Sequence, residues 1–181
     1  MTIIDKVVAA VTPPESDTAR TEARSKARAA AGSSGWMTMV LDHHVAIETA
    51  FAAVKSATGA ANRRSAQKAL AAILTGHSIA EEAVIYPAMA LTDQKAHSGE
   101  AYTEQSAARV QMAALEGLDP MSQDYLDKLE HLRGAVAHHV YEEEGQWFPE
   151  LRETAESSMQ AKLTVRYKEE FERYMNSAQA R

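Results

Sequence analysis

Cysteine is absent from all 181 residues. That excludes disulfide frameworks, thiolate nucleophiles and thiolate-held metal, and leaves nitrogen and oxygen as the strong ligand atoms. Glycine (8 residues) and proline (5 residues) are scarce while alanine dominates, which favours helix along the whole chain. No apolar run reaches the roughly eighteen residues of a membrane span. Met1 to Asp5 carries an acid where a secretory leader would carry lysine or arginine. The expectation is a cytoplasmic protein with no membrane partner. Phosphate-cradling glycine loops and nucleophile motifs are missing, which argues against kinase and hydrolase chemistry. A net charge of −6 argues against non-specific nucleic-acid binding, because such binding depends on neutralising phosphates. One basic group, Arg20, Arg24, Lys26 and Arg28, reads as a solvated helix face.

What is present suits one globular domain with short extensions, at 45% hydrophobic and 24% charged residues. Residues 1–35 read as a helical extension and linker. Ile3, Ile4, Val7, Val8 and Val11 have helical spacing ended by Pro13-Pro14. Glu15 to Ala31 predicts a polar helix capped by Ser16 and stopped by Gly32. Residues 36–152 hold four longer helical segments: about Trp36 to Thr58, Asn62 to Ala90, His97 to Leu118 and Ser122 to Arg152. The short breaks between them favour antiparallel neighbours. The expected fold class is therefore all-α, an up-down antiparallel four-helix bundle with N-terminal and C-terminal helical extensions. Residues 153–181 hold a last helix, about Ser158 to Met175, aligning Leu163, Tyr167, Phe171 and Tyr174. That stripe suits two roles, covering the bundle or pairing with a second copy in a homodimer.

The second and fourth segments repeat each other. HSIAEEAVIYP (His77 to Pro87) and HVYEEEGQWFP (His139 to Pro149) overlay at an offset of 62. Leu70 meets Leu132, Leu74 meets Val136, His77 meets His139, Glu81 meets Glu143, and Tyr86 meets Phe148. His77 shares the inward face of Leu70 and Leu74, with Glu81 one turn on. His139 and Glu143 follow Leu132 and Val136 in the same way. Glu82 and Glu144 are expected to point away from that stripe.

Each of these helices thus aims one imidazole and one carboxylate inward. Burying an unpaired carboxylate costs on the order of several kcal/mol, and two in one interior also repel. A cation between them removes both penalties, and residues at i and i+4 can reach the same ion. The first segment adds His44 on the stripe of Val40, Ile47, Phe51 and Val54, with His43 to one side. The third segment overlays the first at an offset of 61, and there His44 meets Gln105, a weak ligand. Glu104 is the nearest carboxylate on that helix. His97 lies two turns earlier, about 12 Å along the axis.

A lone buried histidine is ordinarily a core residue with a hydrogen-bond partner, and one HxxxE match carries little. Two such pairs in matched register, with His44 on a third helix, point to metal. His43 and His138 read as ordinary polar residues. Nitrogen and carboxylate ligands without sulfur suit iron, manganese or zinc. Three histidines and two glutamates over four helices exceed what one tetrahedral ion needs and fit two ions bridged by carboxylates.

With Asp42-His43-His44 and the doubled HxxxEExxxxP motif, residues from about Trp36 to Leu151 resemble the hemerythrin-like proteins, also called HHE cation-binding domains. The resemblance implies a four-helix bundle holding two non-haem iron ions joined by an oxo or hydroxo bridge, with zinc or manganese as substitutes. It implies His44, His77 and His139 as terminal ligands, and Glu81 and Glu143 as bridging carboxylates. It also implies a small ligand: dioxygen, peroxide or nitric oxide, in sensing, storage or stress protection. A catalase-like or peroxidase-like enzyme and an iron-buffering bundle are the rival readings. The departure is the third helix, where the family usually offers a histidine and this chain reads Tyr102-Thr103-Glu104-Gln105. Glu104 turned inward, an under-coordinated ion, or His97 from a rearranged segment are the three outcomes.

Overall fold

The computed structural model describes residues 15–179, and these are all-helical with no strand. The expected helix over Ile3 to Val11 lies outside the described residues. Helix α1 (Asp17–Ala31) begins where the Ser16 hydroxyl accepts the Ala19 N–H at 3.1 Å, and stops at Gly32, whose φ of 74° suits glycine. Helix α2 (Trp36–Ser56) follows directly.

Two long rods come next, each interrupted in the same way. Helix α3 (Ala60–Ala80) widens into a π turn over Glu81–Ile85 and continues as α4 (Tyr86–Leu91). Helix α6 (Gln123–Glu142), capped by Ser122, widens over Glu143–Trp147 and continues as α7 (Phe148–Thr154). Between the rods runs α5 (Lys95–Glu116), and the chain closes with α8 (Ser157–Gln179). Each π turn starts at the glutamate of the HxxxE pair and leads into Pro87 or Pro149, the residue a regular helix interior tolerates worst. The repeat seen in sequence is therefore a repeat of backbone shape.

The apolar stripes place two core clusters. One gathers Trp36, Val40, Ile85, Phe148, Leu163 and Tyr167 among others, with Ala27 and Ala31 of α1. The other gathers Ile47, Phe51, Leu70, Met112, Leu132 and Val136 with their neighbours. Along α2, His44 falls between the residues of the first cluster and those of the second. His77 does so along α3, and Glu143 along the fourth segment. The polar pattern is thus a layer sandwiched between two dry ones.

Helix α8 packs against α2 and α3 of the same chain. Its approach is close at Gly76, where an added Cβ would lie 3.0 Å from Tyr174 and 3.2 Å from Met175 Sδ. Any larger residue there would press on α8 one position before His77.

Candidate metal centre

Four side chains converge in the polar layer. His44 of α2, His77 of α3, and Glu81 and Glu143 at the heads of the two π turns each offer a ligand atom, all within 4.8 Å of one another. All four are buried. His77 Nε2 lies 3.0 Å from Glu81 Oε2, and His44 Nε2 lies 3.3 Å from Glu143 Oε2 and 4.0 Å from Glu81 Oε1. His139 joins from the far side, its Nε2 3.2 Å from Glu143 Oε1. Each carboxylate therefore reaches two imidazoles: Glu143 spans His44 and His139, and Glu81 spans His77 and His44.

The other nitrogen of every inward ring is held from behind. His44 Nδ1 pairs with Glu144 at 2.8 Å, His77 Nδ1 with the Tyr167 hydroxyl at 3.1 Å, and His139 Nδ1 with Glu104 at 2.7 Å. This is how metal-ligating histidines are oriented, with one nitrogen fixed by a partner and the other left for the ion. His44 Nε2, Glu81 Oε1 and Glu143 Oε2 are buried with no hydrogen-bond partner in the protein. An unmet buried polar atom costs about 1–3 kcal/mol, more when charged, and a cation among these three atoms would satisfy all of them. The residues fit a metal ion.

Glu104 stands behind His139 and is grouped with His138 and Glu142, away from the central four. Gln105 does face inward, donating from Nε2 to Glu81 Oε2 at 2.6 Å. His97 stacks on Trp147 with centroids 5.7 Å apart and takes no place in the cluster. His43 is half-buried and binds Tyr167 through Nδ1 at 2.8 Å, while His138 binds Glu15 at 2.6 Å.

Four participants escaped the sequence reading. Tyr86 places its hydroxyl at the heart of the site, 2.9 Å from Glu143 Oε1, 3.2 Å from Glu81 Oε2 and 3.0 Å from His139 Nε2. In a regular helix a residue five positions after Glu81 would be turned about 140° away. The π turn removes that rotation, and Tyr86 N–H bonds back to the Glu81 carbonyl. Glu144, expected to point away, is 1% exposed and holds His44. The π turn lets consecutive Glu143 and Glu144 grip the two nitrogens of one imidazole. Glu144 in turn accepts from Arg24 Nε at 3.0 Å, and the same guanidinium binds Glu48 at 2.7 Å. Arg24 thus ties α1 to the centre, and Arg28 pairs with Asp42, so this face of α1 is more than solvated charge. In the sequence Tyr167 shows only as part of the α8 stripe. A paired arginine or a buried tyrosine from a distant helix leaves no local mark; the aromatic repeated after each EE pair was the available signal for Tyr86.

Without metal the cluster stores protons. Burial opposes a charge on His44, but the carboxylates of Glu143 and Glu144 beside it outweigh that and raise its pKa to about 9. His139 is likewise raised well above 6.5: burial is outweighed by Glu143 and Glu104. Burial pushes the Glu143 carboxyl up, yet His139 and His44 hold it well below the usual carboxylate range. A raised histidine stabilises the fold fully below its unfolded value of about 6.5 and loses that contribution as pH climbs through about 9. A depressed carboxylate contributes above 4.5 and loses that contribution as pH falls below it. The melting temperature of the metal-free protein should therefore be highest between these limits and decline from about pH 6.5 to about pH 9. The loaded protein should not decline over that window, since the ion takes the proton's place. Melting curves across the range check this; a flat metal-free profile would contradict it.

The Hemerythrin HHE cation binding domain family model matches residues 37–174. That span includes most of α8. A curated relative, a DNA nickase from Nostoc sp. (strain PCC 7120 / SAG 25.82 / UTEX 2576), is 27% identical over 95 residues, covering 52% of this chain and 27% of that protein. The chain thus spans about a quarter of that relative's length. No solved structure matches.

Proposed function

The chain belongs to the hemerythrin HHE cation-binding domain family, and from that membership and the buried cluster we propose a non-haem di-iron protein that binds dioxygen or a related small oxidant. We read α2, the two π-interrupted rods and α5 as the four helices of an up-down antiparallel bundle around the centre. The observation that carries the reading is the convergence of His44, His77 and His139 Nε2 on two carboxylates, each of which reaches two rings. Such spread suits carboxylates that bridge two ions. His44, His77 and His139 would be end ligands, and Glu81 and Glu143 the bridges.

Iron held here would supply reversible one-electron chemistry toward a small oxidant. The protein's own part is to orient and to exclude. Glu144, Tyr167 and Glu104 hold the ring orientations, the flanking apolar clusters keep bulk water out, and the Tyr86 hydroxyl holds a proton against Glu143. Burial, then Glu143 and Glu81, raise that phenol well above 10, so it is a donor at neutral pH. Sensing, storage and stress protection all fit a buried centre of this kind. The nicking activity of the Nostoc relative is not part of this proposal, since the match covers a minor part of that protein.

The test is to expose anaerobic ferrous-loaded protein separately to dioxygen, hydrogen peroxide and nitric oxide. A new absorption band with at least one of them is expected, and iron that stays spectrally silent toward all three would overturn the reading. Band reversal on removing dioxygen marks a carrier or sensor; oxygen released from peroxide marks the catalase-like enzyme.

A further inference from the structure

Two spaces lie beside the centre. A cavity of about 20 Å³ is walled by Leu74, His77, Gln105, Ala108, Val136 and His139, among others. A larger cleft of about 200 Å³ runs between α3 and α5, with exposed Arg109 and Glu116 in its outer wall. Leu74, Ser78, Gln105 and Ala108 line both. The inner space suits a molecule the size of water or hydrogen peroxide and no organic substrate.

Gln105 stands in the shared wall and is 4% exposed. Its amide nitrogen faces the centre, donating to Glu81 Oε2 at 2.6 Å and to the Tyr86 hydroxyl at 2.5 Å. The amide oxygen is thereby turned to the other side, where no protein group donates to it. A buried carbonyl oxygen of this kind calls for a donor, and Gln105 lines both the inner cavity and the cleft.

We propose that Gln105 determines ligand specificity: its amide oxygen accepts a hydrogen bond from a hydroxyl-bearing oxidant, hydrogen peroxide in class, that arrives by the α3–α5 cleft. Dioxygen and nitric oxide carry no hydrogen and gain nothing from that acceptor. The inference rests on the di-iron reading and narrows it. It also gives a role to the position where the first and third helices break their symmetry.

The experiment compares ferrous-loaded wild type, Gln105→Met and Ala108→Leu for the rates of ferric formation with peroxide and with dioxygen. One peroxide takes two electrons from two ferrous ions and two protons to give two waters, so the reaction balances. Gln105→Met keeps the volume and removes the acceptor; it also removes the donor to Glu81, a loss common to both oxidants that the ratio of rates cancels. Its ratio of peroxide rate to dioxygen rate should fall about tenfold, the worth of one hydrogen bond. Ala108→Leu narrows the shared wall, so both rates should drop while their ratio holds. An unchanged ratio in Gln105→Met, or unslowed oxidation in Ala108→Leu, overturns the proposal. Crystals of metal-free wild type soaked in peroxide give a readout without turnover, and they decide the matter should Gln105→Met lose its iron. Peroxide bonded to Gln105 Oε1 is expected; a lone water or a protein donor there overturns the inference. Wild type that takes up no iron would instead sink the di-iron reading itself.

Discussion

His77→Ala or Glu143→Ala loses most of the bound metal, while His138→Ala keeps it. His77 is one of the four groups whose ligand atoms lie within 4.8 Å of one another, and its ring is locked by Tyr167 from behind. Removing it takes away a nitrogen and leaves Glu81 buried without the imidazole that stands 3.0 Å from its Oε2. Glu143 counts for more, since it faces His44 on one oxygen and His139 on the other. His138 shares the HxxxE spacing through Glu142, but the ring is a third exposed and Glu142 lies 3.8 Å away. Its closest partner is Glu15, outside the centre. Metal analysis of the three purified variants checks this. Equal loss in His138→Ala would mean that the half-buried group of Glu104, His138 and Glu142 holds the metal instead.

The second large effect is on stability. An ion bound only by the folded state stabilises it by about 4 kcal/mol at a thousandfold excess over Kd. For a chain of 181 residues that raises the melting temperature by about 8–16 °C. The gain should be this large because the metal-free cluster is poorly satisfied: three buried atoms at its centre lack partners. In Glu143→Ala the metal-dependent rise should disappear. Calorimetry of metal-free and ferrous-loaded samples, handled without air, measures both. A rise of the same size in Glu143→Ala would place the stabilising ion elsewhere.

Much of this centre could be read from the residues alone, for a physical reason. Helix faces repeat at 3.6 residues, so the leucines around His77 and His139 fixed which way those rings turn. The same stripe placed His44, and Gln105 fell inward where the overlay put it. What was hidden depends on departures from that period. The π turns bring Tyr86 onto its neighbour Glu81 and draw Glu144 inward, and no count at regular spacing reveals them. Arg24 was hidden for a different reason. Its partner Glu144 is 120 positions away, and only packing of α1 on the second rod brings them together. The first repeat shows how context decides: Glu82, the counterpart of Glu144, pairs with Arg109 and holds no imidazole.

The most direct measurement is iron per chain after anaerobic ferrous loading of metal-free protein, followed by the near-ultraviolet spectrum once air is admitted. About two irons per chain, with the absorption of bridged ferric ions, is the expected result, in keeping with carboxylate-bridged pairs in bundle cores. Protein that emerges from loading still free of iron would contradict the claim that His44, His77, His139, Glu81 and Glu143 are gathered around ions.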